Sequence, residues 1–181
     1  MLQYLSYKVG LAVINAVPRK SAYAFAEFVS EVHFHTSRKD REAVIHNLQH
    51  ILQTKEDVSE QARQVFRNFG RYLVDFFLMS ETINEEFLRD HVRVVGAEYL
   101  KKAVERGRGT IILTAHLGNW EMGAAVLAKI GHPVVAVALP HKDTRINDLF
   151  NRQRQHYGVT VVPTNVAVRK CIDALKKNRF V

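Results

Sequence analysis

Cysteine is nearly absent from the 181-residue sequence, which has Cys171 alone. A single cysteine excludes an internal disulfide and any zinc module built from several cysteines, and it fits a reducing, cytoplasmic-side environment. The sequence has four prolines, no internal repeat and no low-complexity stretch. With 47% apolar and 24% charged residues, the composition is typical of a globular protein and excludes disordered, collagen-like and disulfide-scaffold classes.

Long hydrophobic runs are missing as well. The longest uncharged run near the N-terminus covers residues 9–18, which is shorter than the roughly 20 residues that a membrane-spanning helix needs. We predict no secretory signal, because a clear basic start and a small-residue cleavage site are both lacking. The region has a broad apolar face that fits either a helix on a membrane surface or a helix packed on the core. Its members are Leu2, Tyr4, Leu5, Val9, Leu11, Ala12 and Ile14.

Basic charge is concentrated in the second half of the sequence. Residues 92–181 contain 15 of the 26 lysines and arginines but 6 of the 18 acidic residues, so this half carries the whole formal charge of +8 and slightly more. Such a field attracts phosphate-bearing partners, which include nucleic acid, an anionic membrane surface and a phosphorylated substrate or carrier.

Residues 1–90 have the periodicity of helices separated by short breaks, and we predict a helical, membrane-associating lead-in. Pro18 ends the first helix, and Ser21 is predicted to cap the second. A third helix is predicted at 38–52, and a fourth begins at Asp57 with Glu60 completing a capping box. The apolar residues spaced to line these helices are Phe25, Phe28, Val29, Val32, Val44, Leu48, Ile51, Leu52, Val65, Phe66, Phe69, Leu73, Phe76 and Phe77.

From about residue 91 short apolar runs alternate with helical segments, which predicts an α/β fold with a largely parallel or mixed sheet flanked by helices. The predicted strands are 92–95, 110–115, 133–139 and 159–162, with 110–115 buried on both faces and 179–181 starting another strand. The predicted helices are 97–106, 119–130, 144–156 and 166–177. We therefore expect an α/β core over 91–181 whose sheet is incomplete at the C-terminal end.

The residues after 110–115 are the first candidates for a site, because ligands of open α/β sheets bind beyond the carboxyl ends of the strands. His116 leaves the sheet there, Gly118 permits a tight turn, Asn119 is placed to cap the next helix, and Glu121 lies in its first turn. This spacing allows Glu121 to fix the tautomer of His116, which makes His116 a candidate general base. The structural alternative is a histidine bound to a backbone carbonyl, with Glu121 favoured by the helix dipole.

Other catalytic signatures are missing. All six serines precede residue 91, no G-x-S-x-G occurs and Cys171 falls within a predicted helix, so direct attack by a substrate hydroxyl is simpler than covalent catalysis. The Gly-rich motifs of nucleotide-binding loops are also lacking. His46 and His50 share one helical face, but no third ligand has a convincing spacing, and we predict neither a metal nor a cofactor.

Segment 114–121, Thr-Ala-His-Leu-Gly-Asn-Trp-Glu, resembles the H-x4-[DE] block of the lysophospholipid acyltransferase superfamily. Its H-x-G-N-W-E form is similar to that of the lipid A biosynthesis lauroyl and myristoyl acyltransferases. Segments 41–48 and 65–72 resemble the N-terminal region of that branch, and 151–158 resembles its arginine-bearing helix, with Arg154 as the arginine. Since an Asp-containing block should follow the strand starting near 180, the resemblance implies an N-terminal portion of such an enzyme.

The resemblance implies an O-acyltransferase of lipid A and lipopolysaccharide biosynthesis. The donor would be an acyl carrier protein or coenzyme A thioester, and the acceptor a hydroxyl of a lipid A precursor or related glycolipid. The implied location is peripheral or monotopic, on the cytoplasmic face of the bacterial inner membrane. His116 and Glu121 would be catalytic, and the implied substrate-binding residues are Gly118, Asn119, Trp120 and Arg154.

Two of these roles stay open at the level of sequence. Arg154 either holds a phosphate or stabilises charge, or it is a solvated cation of its helix. Trp120 either borders an acyl pocket or packs beneath the sheet.

Three other functions compete with acyl transfer. A nucleic-acid-binding module would use the basic charge, but no recognised binding motif occurs and we predict no nucleic-acid partner. A metal-dependent hydrolase would use His116 and His141. The third is an inactive, truncated acyltransferase-like scaffold.

Overall fold

The computed structural model describes residues 2–181, with side chains described from Tyr4 onward, so the apolar side chain of Leu2 lies outside the described part. The chain forms two compact units, one of Lys8–Leu78 and one that joins the stretch up to Tyr7 with Met79–Val181. The change in composition lies near residue 91, whereas the packing places the end of the helical region, from Met79 onward, in the α/β unit.

The N-terminal half is built from helices α1 (Leu2–Ala16), α2 (Arg19–Thr36), α3 (Arg38–Leu52) and α4 (Ser59–Thr82). The predicted bounds of α3 are confirmed. Ser21 does not cap α2, because Pro18 stands at the cap position and Ser21 lies within the first turn. A proline has no N–H to lose and fits a helix start, so the helix begins before Ser21.

The start of α4 also differs from prediction. The carboxylate of Asp57 accepts hydrogen bonds from the backbone N–H of Ser59, at 2.9 Å, and from its hydroxyl. Glu60 does not complete a capping box, since its carboxylate lies 3.5 Å from the guanidinium of Arg63. The local turn between Asp57 and Ser59 therefore delays the helix to Ser59.

Helices α2 and α4 approach each other closely at Gly70. A Cβ at this position would lie 2.3 Å from Oγ of Ser30 and 2.9 Å from the carbonyl oxygen of Ala26, so glycine is required by packing. The residue after Ser30, Glu31, forms ion pairs with Arg63, at 2.6 Å, and with Arg67. Both acidic residues of α2, Glu27 and Glu31, are bound to arginines of α4.

The core of this unit contains part of the predicted apolar set. Phe34, Ala62 and Phe66 are buried together, with Val44, Ile45 and Leu48 of α3 packed against them. Burial is confirmed for Phe66, Phe76 and Phe77 on the aromatic stripe of α4, but other members of the predicted set are exposed. These are Phe25, Phe28, Val29, Val32, Ile51, Leu52, Val65 and Phe69.

The α/β unit contains the four predicted helices, one additional short helix before them and two of the predicted strands. Its helices are α5 (Glu85–His91), α6 (Ala97–Glu105), α7 (Trp120–Lys129), α8 (Thr144–His156) and α9 (Ala167–Lys176), with a 3-10 turn at Thr164–Val166. Strands β1 (Val135–Ala138) and β2 (Thr160–Pro163) are parallel, with Val135 opposite Thr160. Val135 of β1, Val162 of β2 and Ala174 of α9 form a core cluster in which a helix packs on parallel strands, which confirms the α/β class.

The last residues extend this parallel arrangement. Phe180 makes parallel bridges to Thr110 on one side and to Val134 on the other. The N–H of Ile112 donates to the carbonyl of Val181 at 2.8 Å, and the N–H of Val181 donates to Thr110 at 2.9 Å. Segment 179–181 therefore lies between 110–112 and β1.

Two predicted strands are not formed. Residues 92–95 are irregular, and Val94 and Val95 are exposed, because within residues 2–181 no segment pairs with them. The sequence predicts burial of 110–115 on both faces, but Leu113 is 97% exposed. The described pairing of this segment stops at Ile112, and Ile111 within the paired stretch is itself 72% exposed, so neither the paired nor the unpaired part of the segment is buried on both faces.

Candidate active site

His116 stands on a sharp turn between the sheet edge and α7. Its φ is 53°, a left-handed conformation that costs a non-glycine residue on the order of 1 kcal/mol or more, and such outliers cluster at functional sites. Gly118 follows with φ of 65°, and no atom lies within 4 Å of where its Cβ would be. Gly118 is therefore needed for its conformation, as the sequence predicts, and the space above it is open.

The ring of His116 is stacked on Trp120. The ring centroids are 4.9 Å apart and the planes are tilted by 27°. His116 is exposed, and its backbone N–H donates to Oγ1 of Thr114 at 3.3 Å. Trp120 thus supports the candidate base, a role that neither sequence interpretation of this tryptophan included.

Asn119 caps α7, as predicted. Its Oδ1 accepts a hydrogen bond from the backbone N–H of Met122 at 3.0 Å. Its Nδ2 is buried and has no hydrogen-bond partner among the described residues. The backbone N–H groups at the start of α7 lie next to the turn that carries His116, and that of Met122 is bound to the Asn119 side chain.

Glu121 is bound to Arg154 of α8. Nε of Arg154 donates to both carboxylate oxygens of Glu121 at 3.0 Å, and Nη2 donates to Oε1 at 2.6 Å. The side chains are 10% and 16% exposed, so this is a largely buried pair and Arg154 is not a solvated helix cation. Arg154 also donates to Oδ1 of Asn151, at 3.4 Å.

The predicted contact between Glu121 and His116 is not formed. Among the described residues Glu121 has its hydrogen bonds from Arg154, while His116 rests on Trp120. A guanidinium offers a carboxylate two parallel charge-assisted bonds, which an imidazole cannot match, so the pairing follows charge and geometry rather than nearness in sequence.

Phe150 connects Arg154 to a second histidine. The ring of Phe150 is buried, the guanidinium carbon of Arg154 lies 5.8 Å from its centroid, and the ring of His141 lies 4.9 Å from it. His141 follows β1, and its backbone N–H donates to Oδ1 of Asn147 at 3.3 Å. Burial, and then the charge of Arg154, lower the pKa of His141. The sequence singles out His141 as a partner of His116 in the hydrolase alternative, and its place after a strand is the signal that marks it.

The hydrolase alternative needs His116 and His141 to act with a metal. Within the residues that the structure describes, no group of three His, Cys, Asp or Glu side chains is arranged to hold a metal ion. The site offers instead an exposed imidazole on a strained turn, the N-terminus of helix α7 and a buried arginine-carboxylate pair. Such a set can accept a proton and stabilise developing negative charge.

Comparison with known proteins finds relatives that are named phosphatidylinositol mannoside acyltransferases. A phosphatidylinositol mannoside acyltransferase of Mycolicibacterium smegmatis is 24% identical over 173 residues, which cover 94% of this chain and 56% of that protein. Phosphatidylinositol mannoside acyltransferases from two Mycobacterium tuberculosis strains are 26% and 25% identical, over 63% and 61% of this chain and 38% and 35% of their own lengths. The chain thus spans about half the length of the curated relatives it matches, or less.

The family described as bacterial lipid A biosynthesis acyltransferase matches residues 1–181, which include the His116 turn and the Glu121–Arg154 pair. The match covers the whole sequence, so the chain belongs to the bacterial lipid A biosynthesis acyltransferase family.

Proposed function

We propose that this chain carries the catalytic base of an O-acyltransferase that moves a fatty acyl group from a thioester donor to a hydroxyl of a glycolipid. The observation that supports it most is the His116 turn, which places an exposed imidazole next to the N-terminus of α7, whose first turn carries the Glu121 of the Glu121–Arg154 pair. Family membership and the names of the relatives support acyl transfer to a glycolipid.

The proposed reaction needs a base because an aliphatic hydroxyl is a poor nucleophile near neutral pH. A ring nitrogen of His116 takes the proton of the acceptor hydroxyl while its oxygen attacks the thioester carbon. The resulting oxyanion collapses, the carbon-sulfur bond breaks, and the leaving thiolate receives the proton from the imidazolium. General base catalysis of this kind contributes about 10²- to 10⁴-fold.

The other residues act on position and charge. Trp120 holds the ring of His116, and the N–H groups at the start of α7 face developing negative charge on the thioester oxygen. In this proposal Glu121 is a positioning residue that fixes Arg154 and the first turn of α7. Arg154 adds positive charge near a phosphate of the substrate or carrier.

For the donor we propose acyl carrier protein or acyl-coenzyme A, because both are acidic or phosphate-bearing and the second half of the chain is basic. For the acceptor we propose a lipid A precursor, from the family description. A mannosylated phospholipid is the second acceptor to test, because the relatives are named for phosphatidylinositol mannoside.

We also propose that the protein lies on the cytoplasmic face of the bacterial inner membrane. No described helix has the length and apolarity to cross a bilayer. Helix α2 exposes Phe28 (67%), Val29 and Val32, and α4 exposes Phe69 (53%) and Val65. Both acidic residues of α2 are bound to arginines of α4, which offsets the charge with which they would repel anionic lipid.

The test is acyl transfer in detergent by the full-length protein, with acyl carrier protein and coenzyme A thioesters against a Kdo-bearing lipid A precursor and phosphatidylinositol mannoside. His116→Ala is expected to remove transfer while the circular dichroism spectrum stays unchanged. The matched control is His50→Ala, on the exposed surface of α3. Transfer that survives His116→Ala would overturn the base assignment, and loss with a chelator would favour the metal-dependent alternative.

A further inference from the structure

The first turns of α1 lie against α8, the helix that carries Arg154. The guanidinium carbon of Arg145 lies 4.7 Å from the ring centroid of Tyr4, and the ring of Tyr7 meets the ring of Phe150 edge-on, at 5.5 Å and 87°. Tyr4 and Tyr7 are three residues apart, so both point from one side of α1. Both contacts lie within the α/β unit.

Tyr7 is a packed residue rather than a surface tyrosine. Burial raises the pKa of its hydroxyl, and the ring that it touches, Phe150, is 5% exposed. Phe150 and Arg154 are four residues apart on α8 and so lie on the same face. The ring of Phe150 thus has Tyr7 against it and the guanidinium of Arg154 at 5.8 Å.

We propose that Tyr7, through the ring of Phe150, holds Arg154 in the orientation in which it binds Glu121, so that the first turns of α1 are part of the active site. An arginine side chain has several rotatable bonds, and a flat aromatic surface beside it restricts the positions of its guanidinium. Tyr7 and Phe150 touch no reacting atom in this proposal and are positioning residues. The effect of Tyr7 on catalysis rests on the proposed function, whereas its effect on the orientation of Arg154 does not.

The test measures the chemical accessibility of the Arg154 guanidinium. Phenylglyoxal modifies accessible arginines, and mass spectrometry compares Arg154 with the exposed Arg152 of the same helix as an internal reference. Tyr7→Ala and Tyr7→Leu are expected to raise the reactivity of Arg154 toward that of Arg152. Tyr7→Phe keeps the edge-on ring and is expected to leave it unchanged, as is Lys8→Ala on the exposed side of α1.

The same variants are then assayed for acyl transfer in the full-length protein. Tyr7→Leu is expected to lower kcat/KM by about 10-fold to 100-fold, mainly through a higher KM, because a displaced guanidinium binds a phosphate of the substrate or carrier less well. Tyr7→Phe is expected to restore the rate. The leucine variant keeps an apolar side chain, so it reports on the ring even where Tyr7→Ala fails to fold.

The outcomes separate this proposal from the proposed function. An unchanged reactivity of Arg154 in both Tyr7→Ala and Tyr7→Leu overturns the positioning role whatever happens to the rate. A raised reactivity with an unchanged rate overturns the place of α1 in the active site. A raised reactivity in a protein whose wild type transfers no acyl group supports the positioning of Arg154 and contradicts the proposed function alone.

Discussion

Arg154 binds the carboxylate of Glu121, which lies 33 residues away in the sequence. Its Nε donates to both carboxylate oxygens, and its Nη2 donates to Oε1 at 2.6 Å. The pair joins the first turn of α7 to the last turn of α8. Because both side chains are largely buried, the carboxylate of Glu121 depends on the guanidinium of Arg154 for its hydrogen bonds. The pair therefore fixes the start of α7, next to the turn that carries the proposed base.

Removing one partner of this pair is expected to destabilise the fold. Arg154→Met leaves the Glu121 carboxylate without its donor and should lower the free energy of unfolding by about 3 kcal/mol. Glu121→Gln combined with Arg154→Met should recover part of that loss, with a coupling energy of at least about 1 kcal/mol. Urea denaturation of the two single variants and the double variant measures the cycle.

The control for this cycle is the exposed pair Arg89–Asp90. Arg89→Met is expected to change the free energy of unfolding by less than about 1 kcal/mol, because exposed ion pairs contribute little. Additive effects of Glu121→Gln and Arg154→Met would contradict a direct bond between the two side chains.

Gly118 and Gly123 form a matched pair for testing the turn. At both positions an added Cβ would have no atom within 4 Å, but Gly118 has a φ of 65° and Gly123 lies within α7. Gly118→Ala should destabilise the protein by about 1–2 kcal/mol through backbone strain alone. Gly123→Ala should stabilise it by about 0.5–1 kcal/mol, since alanine favours a helix interior. Thermal unfolding measures both, and equal effects would contradict the left-handed turn.

The exposed apolar residues of α2 and α4 predict that the protein binds anionic vesicles. Phe28→Ser together with Phe69→Ser should weaken sedimentation with phosphatidylglycerol vesicles by about 10-fold or more, because each buried aromatic ring contributes on the order of 1.5–3 kcal/mol. Val168→Ser together with Ile172→Ser removes exposed apolar residues from α9 and is the control. Equal loss in both double variants would contradict a specific membrane-facing surface.

Local signals in the sequence are enough to predict several helices. Helix α8 begins and ends where predicted, at Thr144 and His156, since Asp143 accepts a hydrogen bond from the backbone N–H of Arg145 and so caps the helix. The error at α2 is local too, because Pro18 not only ends one helix but also stands at the start of the next. Such elements depend on residues within one or two turns.

Strands and site contacts depend on distant residues, which a single sequence does not reveal. Segment 110–112 pairs with residues 179–181, so its register and exposure could not be predicted from its own apolar run. The partner of Glu121 could not be predicted either, since His116 is near in sequence and Arg154 is 33 residues away. The left-handed conformation of His116 could not be predicted from residue type, because only a few per cent of non-glycine residues adopt it, although histidine is among those enriched there.

His141 should make stability depend on pH. Burial and the charge of Arg154 lower its pKa below the ordinary value of 6.5, so the unfolded chain binds the proton more readily than the folded one. Its contribution to the free energy of unfolding is therefore fully present above about pH 6.5 and is lost as the pH falls below that value.

Unfolding in urea at about pH 7.5 and about pH 5.5 measures this effect. The difference in the free energy of unfolding between the two pH values should be smaller in His141→Gln than in the wild type. Arg154→Met should reduce the difference partway, because it removes the charge and leaves the burial against Phe150. NMR titration of the His141 imidazole measures the same shift directly, and an unchanged pH difference in His141→Gln would show that this ring is not protected in the folded protein.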